Sequence, residues 1–409
     1  MSAVNLVTVI GVVALFTSVL AWPHVSAGRI EGVRFYLSLM LTSIGAAYAA
    51  GGSGMLTVLG GLAATVVGGA LLCGSRRDSR AAQEAALKFL AYGGFSAGVS
   101  ALGAALVYRE VSPHGALVWG ELSRAVTQNE VSVLGGIGVA LVFAGLVSFL
   151  AAVPFHMWAP DVLEGAPTPA AMFVSAATKV AAVGALWRLV DSVVKPWNPH
   201  AFTLPLDVLV ASTVIVGNLV AVRQVLVKRM VAYATIAQGG YLLAAIAHGG
   251  ESVVFFAMVS DVVVTLGVFG GVGLYELRES RHDELELADL DGAGLRQPVV
   301  AVALAVLLLS MAGIPPSGGA LARLLVFLSV VESGRNALLV LLALGSVAGA
   351  YVYLRLLVRM YFHSGRPPGA PITSGALIWW LRGGVVLCAV ATVAAGVWPR
   401  GLLWLGSGR

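Results

Sequence analysis

Stretches of about 20 apolar residues, the length of helix that crosses a bilayer core, recur from Val4 to Trp398 with only short polar breaks between them. In hydrocarbon every backbone amide needs a partner within the protein, so each stretch is expected to coil into a helix. Composition agrees: 58% of the 409 residues are hydrophobic and 11% are charged, against roughly 25% charged in soluble domains. A water-soluble fold of this size could not cover its surface with so few charges. The pattern predicts an all-α integral membrane protein, a single membrane domain over 1–409 with no room for a separate soluble module.

Hydropathy and breaks place about 12 transmembrane helices, at 3–22, 33–50, 55–74, 85–108, 133–152, 168–190, 206–225, 231–248, 252–277, 298–332, 337–361 and 376–398. The tenth is too long for one straight span and contains Gly313-Ile314-Pro315-Pro316-Ser317-Gly318-Gly319, which interrupts a helical ladder because proline has no N–H to donate. Two half-helices meeting inside the protein are expected there. Pro154, in Val153-Pro154-Phe155-His156, ends or breaks the fifth helix. The two interruptions stand five helices apart and so run in opposite directions, the pattern of an inverted-repeat transporter with its pathway at the midplane; simple packing kinks would also account for it. The expected division is N-terminal helices over 1–50, two inverted repeats over 55–190 and 206–361, and a C-terminal helix over 376–398.

The first 22 residues lack the positively charged n-region of a cleavable signal and are read as a retained helix. Lysines and arginines collect after odd-numbered helices, fourteen in all and Arg281 and Arg366 among them, whereas the other side holds seven, the last Arg409. Basic loops stay inside, which puts both termini in the periplasm of a bacterium. The net charge of +5 is thereby explained by orientation in a lipid bilayer, not by nucleic acid. No histidine or cysteine pair has metal-ligand spacing, so the chain itself is expected to carry no metal, cluster or haem. No nucleotide-cradling glycine motif follows a strand.

Few ionisable groups lie deep in these spans. Lys179 is near the middle of 168–190 and Asp261 well inside 252–277. A charge at that depth costs about 2.5–3.5 kcal/mol on insertion scales and normally faces protein or water. Lys179 reads as functional or as half of a static buried ion pair; Asp261 reads equally as a helix-packing or inter-subunit carboxylate. Arg323 follows the second break. His156 is a proton relay or a histidine bonded to nearby loop backbone. Glu84 and Lys88, four residues apart, read first as a surface pair. Gly94 with Gly98, Gly267 with Gly271 and Gly345 with Gly349 have the spacing of close helix packing.

The run Pro154-Phe155-His156-Met157-Trp158-Ala159-Pro160-Asp161-Val162-Leu163-Glu164-Gly165-Ala166-Pro167-Thr168-Pro169 closely resembles the signature of the N-type antiporter-like subunit of bacterial NADH:quinone oxidoreductase, respiratory complex I. The sister M and L subunits and Mrp-type cation antiporters share Pro-Phe-His-x-Trp and Pro-Thr-Pro; the intervening Asp-Val-x-Glu-Gly is N-like. Glu84-Ala85-Ala86-Leu87-Lys88-Phe89, Lys228-Arg229-Met230-Val231-Ala232-Tyr233-Ala234 through Gly240-Tyr241, and Gly313-Ile314-Pro315-Pro316 are similar too and stand in the family's order. The resemblance covers about 55–361.

It implies a fourteen-helix fold of two inverted five-helix repeats with a broken helix in each, here with two helices fewer, in the bacterial inner membrane. Partner subunits, among them an M-type subunit and small helical subunits, would hold NAD, FMN, iron–sulfur clusters and quinone, while this chain would hold no cofactor and no redox site. Its role would be coupling quinone reduction to proton translocation. The family's path uses a glutamate, a lysine before the first break, a lysine in the next helix and a lysine after the second break. Here the glutamate falls near Ala63 and the first lysine on Phe149; Lys179 is retained, and Arg323 replaces the last lysine. Bringing a lysine to pKa 7 takes roughly 5 kcal/mol and an arginine about 9, so Arg323 would hold charge without releasing a proton. The chain's own proton channel is therefore expected to be altered or inactive, and Ala63→Glu combined with Phe149→Lys is expected to be tolerated. The alternative class is a stand-alone cation/proton antiporter, or a subunit of a related membrane-bound hydrogenase or carbon-uptake complex.

Overall fold

The computed structural model describes residues 1–111, 117–128, 132–197, 199–278, 285–364 and 375–406; Arg281, Arg366 and Arg409, used above for orientation, lie outside them. Among the described residues every regular element is helical. The helices are α1 (Ala3–Ser26), α2 (Gly32–Gly51), α3 (Met55–Cys73), α4 (Arg80–Val111), α5 (Trp119–Gln128), α6 (Val133–Phe149), α7 (Trp158–Gly165) and α8 (Thr168–Leu189). After a π turn over Val190–Val194 come α9 (Lys195–Trp197), α10 (Pro199–Arg223), α11 (Val227–His248), α12 (Glu251–Arg278), α13 (Ala293–Arg296), α14 (Pro298–Ala312), α15 (Gly318–Glu332), α16 (Asn336–Phe362), α17 (Gly375–Val397) and α18 (Arg400–Gly406).

Ten helices are long and apolar enough to cross a membrane, and α6 and α14 are shorter apolar helices. Each of the twelve predicted spans is met. Hydropathy gives no sign of α5, which is polar, nor of the continuation of α1 through Pro23 to Ser26. Both predicted interruptions are present. The first parts α6 from the short α7, and Trp158 Nε1 bridges it by donating to the Ser148 carbonyl at 2.8 Å. The second parts α14 from α15, with Gly313 at φ +81° closing α14; that left-handed conformation admits glycine without strain.

The polarity of the bundle is that of a protein dissolved in lipid. Large apolar side chains such as Leu15, Phe95, Leu204 and Val347 point outward, while Lys179, Lys228, Glu276 and Arg323 are buried. The core is built around α8, enclosed on all sides and packed among α12, α2, α1 and α6. Glycine spacing is only partly used for packing. Gly271 lies against Leu304 and Gly349 against Asn218, whereas the predicted pair Gly94 and Gly98 faces open space because α4 is an outer helix.

Candidate functional site

A buried ion pair joins two charged residues in the middle of the bundle. Lys179, midway along α8, lies with its ammonium 2.7 Å from Asp261 Oδ2 of α12. Their side chains are 5% and 8% exposed. Either charge alone would be strongly unfavourable so far from water, and the partner offsets much of that desolvation. The pairing arises because α8 packs directly on α12.

Arg323 is held differently. One guanidinium nitrogen donates to the Ala312 carbonyl at 2.7 Å and to Ser346 Oγ at 2.6 Å; the other donates to the Met311 carbonyl at 2.6 Å. The last carbonyls of a helix have no partner within it and carry its negative dipole end, so Arg323, one turn inside α15, caps the half-helix α14 across the break. It also stacks over the Tyr241 ring at 4.4 Å. A planar fork with several donors suits this task in a way a lysine does not.

Between these charges lies a cavity of about 30 Å³, lined among others by Asp261, Ser260, Gln238, Ser310 and Arg323, with room for roughly two waters. On the far side of Arg323 a cleft of about 420 Å³ opens at the second break, lined by Pro315, Pro316, Ser317, Ser346 and Gly396. The guanidinium lines both spaces and so forms part of the wall between them.

Three separated sequence motifs converge at one end of the bundle. Lys88 bonds Glu84 and Asp161, each at 2.7 Å, and Arg229 bonds Glu164 at 2.5 Å and Asp161 at 3.2 Å. Asp161 and Glu164 of the signature loop therefore anchor the break to α4 and α11, and Lys88 does more than form a local helix pair. Beside them Lys228 donates to the Ala166 carbonyl at 2.7 Å and faces Glu276 at 3.8 Å, while Thr168 donates its hydroxyl to Glu276. Sequence reasoning missed Glu276. It ends a long apolar run, where an acid looks like the edge of the membrane; the available signal was Lys228, one residue inside the preceding helix α11.

His156 sits half-buried in the first break, and among the described residues no hydrogen bond or ion pair links it to Lys179, Asp261 or Arg323. Phe155 beside it is exposed, whereas Trp158, Pro167 and Pro169 are enclosed, the two prolines shaping the entry to α8. Phe149 is in the core at 3% exposure and Ala63 faces outward from α3. The substitutions Ala63→Glu and Phe149→Lys would thus find no shared space within this chain: one new side chain would point out of the bundle and the other into tight packing.

Two interrupted helices, an enclosed α8 and a mid-bundle Lys–Asp pair define an antiporter-like membrane subunit. The family described as "NADH:quinone oxidoreductase/Mrp antiporter, TM" matches residues 53–349. NADH-quinone oxidoreductase subunit N 1 of Sorangium cellulosum is 36% identical over 402 residues, 93% of this chain and 77% of that protein. A chain of respiratory complex I from Thermus thermophilus superposes with a TM-score of 0.82 at 29% identity, covering 98% of this chain and 85% of the other. A chain of the Mrp complex from Dietzia sp. shares the fold, with a TM-score of 0.84 at 20% identity over 98% and 82%. The chain belongs to the NADH-quinone oxidoreductase subunit N family.

Proposed function

We propose that this chain is a membrane-arm subunit of a bacterial NADH:quinone oxidoreductase, and that it carries protons by an altered route whose central element is the Lys179–Asp261 pair. The observation that supports this most is the 2.7 Å contact itself: a proton arriving on Asp261 breaks the pair and leaves Lys179 to respond, so one site can take up and release charge at mid-depth. Asp261 supplies the carboxylate missing at Ala63. Arg323, engaged with the α14 carbonyls, acts as a fixed charge.

In this reading 55–190 and 206–361 are inverted repeats, each with one interruption. The chain lies in the inner membrane with both termini in the periplasm, beside M-type and small helical subunits. NAD, FMN, iron–sulfur clusters and quinone belong to partner subunits, and this chain contributes no redox chemistry to the translocase. The test is Lys179→Ala in the reconstituted complex. Protons pumped per quinone reduced fall while electron transfer to quinone is partly retained; an unchanged ratio would sink the reading in favour of a connecting subunit that conducts no protons.

A further inference from the structure

Arg323 stands between the chamber at Asp261 and the cleft at the second break, yet an arginine does not release a proton at physiological pH. A pair of bonded hydroxyls lies beside it. Ser310 lines the chamber together with Asp261 and Ser260. Its Oγ accepts from the Gly319 N–H at 3.1 Å and lies 2.9 Å from Thr392 Oγ1. Ser310 and Thr392 are both 1% exposed. One turn beyond Thr392, about 6 Å along α17, Gly396 lines the cleft.

The hydrogen bonding of Ser310 suits a relay. A hydroxyl has one proton to give and two lone pairs, and the Gly319 amide occupies one of them. One donor and one acceptor position remain, the set needed to receive a proton on one side and pass another to Thr392. Two glycines keep the place open. A Cβ at residue 319 would strike the Ser310 carbonyl and Oγ, and one at 318 would press on Ser260 Oγ and the Thr392 carbonyl. Ser260 Oγ is buried beside this junction with no hydrogen-bond partner among the described residues.

We propose that protons leaving the Lys179–Asp261 pair bypass Arg323 through the Ser310 and Thr392 hydroxyls into the cleft at the second break. The proposal rests on the proton-carrying reading above. Asp261 gives its proton to water in the chamber; Ser310 Oγ receives one from that water as its own proton moves to Thr392, whose proton passes to water in the cleft. Each O–H bond broken is replaced by one formed: Ser310, Thr392 and the chamber water end neutral, Asp261 ends as the carboxylate facing the Lys179 ammonium, and the positive charge leaves as a protonated water in the cleft.

The test measures protons pumped per quinone reduced by the reconstituted complex. Thr392→Val keeps the side-chain shape and removes the hydroxyl, so the ratio falls by the same increment as in Lys179→Ala. Ser310→Ala with Thr392→Val falls no further, because both interrupt one route. Thr392→Ser, which keeps the hydroxyl, pumps as the unaltered complex. If Lys179→Ala lowers the ratio but Thr392→Val does not, the bypass is wrong and the proton-carrying reading stands. Equal loss in Thr392→Val and Thr392→Ser would assign the effect to packing and also overturn the bypass. No loss in Lys179→Ala would remove the underlying reading itself.

Discussion

Lys179 and Asp261, 82 residues apart in the chain, meet at 2.7 Å where α8 crosses α12. Both are almost wholly enclosed, so each is the other's main compensation for loss of water. This dependence separates stability from transport.

Asp261→Asn leaves a buried ammonium without its counter-charge, and removing one member of such a pair typically costs about 3–5 kcal/mol. The thermal midpoint of the assembled membrane arm should drop accordingly. The double variant Lys179→Ala with Asp261→Asn should recover most of that loss yet pump no better than Lys179→Ala alone. A double-mutant cycle reads the coupling; a value below about 0.5 kcal/mol, the level of independent sites, would mean the two charges do not support each other.

Arg323→Lys replaces the two guanidinium nitrogens that donate here with one ammonium, whose three donors radiate from a single point. It cannot serve Ala312, Met311 and Ser346 together as the arginine does, and each charge-assisted bond is worth roughly 1.5–3 kcal/mol. Unfolding in denaturing detergent should begin earlier by an amount in that range. Pumping should persist, since residue 323 releases no proton in the proposed route; a pumping defect in a correctly assembled Arg323→Lys complex would contradict that role.

The cluster around the signature loop should behave as a partly wet network. Glu84 is 65% exposed, so Glu84→Gln should change stability by less than about 1 kcal/mol and lose even that in high salt. Arg229 ties Asp161 and Glu164 together, and Arg229→Gln should release the loop. Limited proteolysis near 154–167 would detect it, and an unchanged cleavage pattern would show that Pro154 and the packing of Trp158 hold the loop unaided.

How much of this was legible in advance depends on the kind of signal. Pro154 and Pro315-Pro316 announce the two breaks because a missing N–H is a local fact. Lys179 and Asp261 stood out as charges within apolar runs, but their pairing did not, since it depends on how α8 lies against α12. Arg323 was legible as a residue that keeps its proton; its grip on Met311 and Ala312 needed the fold of the break. Glu276 was hidden by its place at the end of a span. His156 carried a family signature and a chemistry suited to proton relay, yet the fold leaves it away from the chamber.

Phe149→Lys should disrupt assembly, because a lysine there enters a core position at 3% exposure and an unpaired buried charge carries a penalty of several kcal/mol. Adding Ala63→Glu should not rescue it, as that side chain leaves α3 in the opposite sense. Blue-native electrophoresis of the membrane arm would report the outcome, and normal assembly of the double variant would show that the two sites do approach each other.

The grip of one guanidinium on the end of α14 makes the second half of the subunit electrically stiff. A guanidinium keeps its positive charge at physiological pH, so of these two charged positions it is the other, where an ammonium and a carboxylate meet, that is able to change polarity. One pole of such a bundle is clamped, and any swing in its internal field must start from the other.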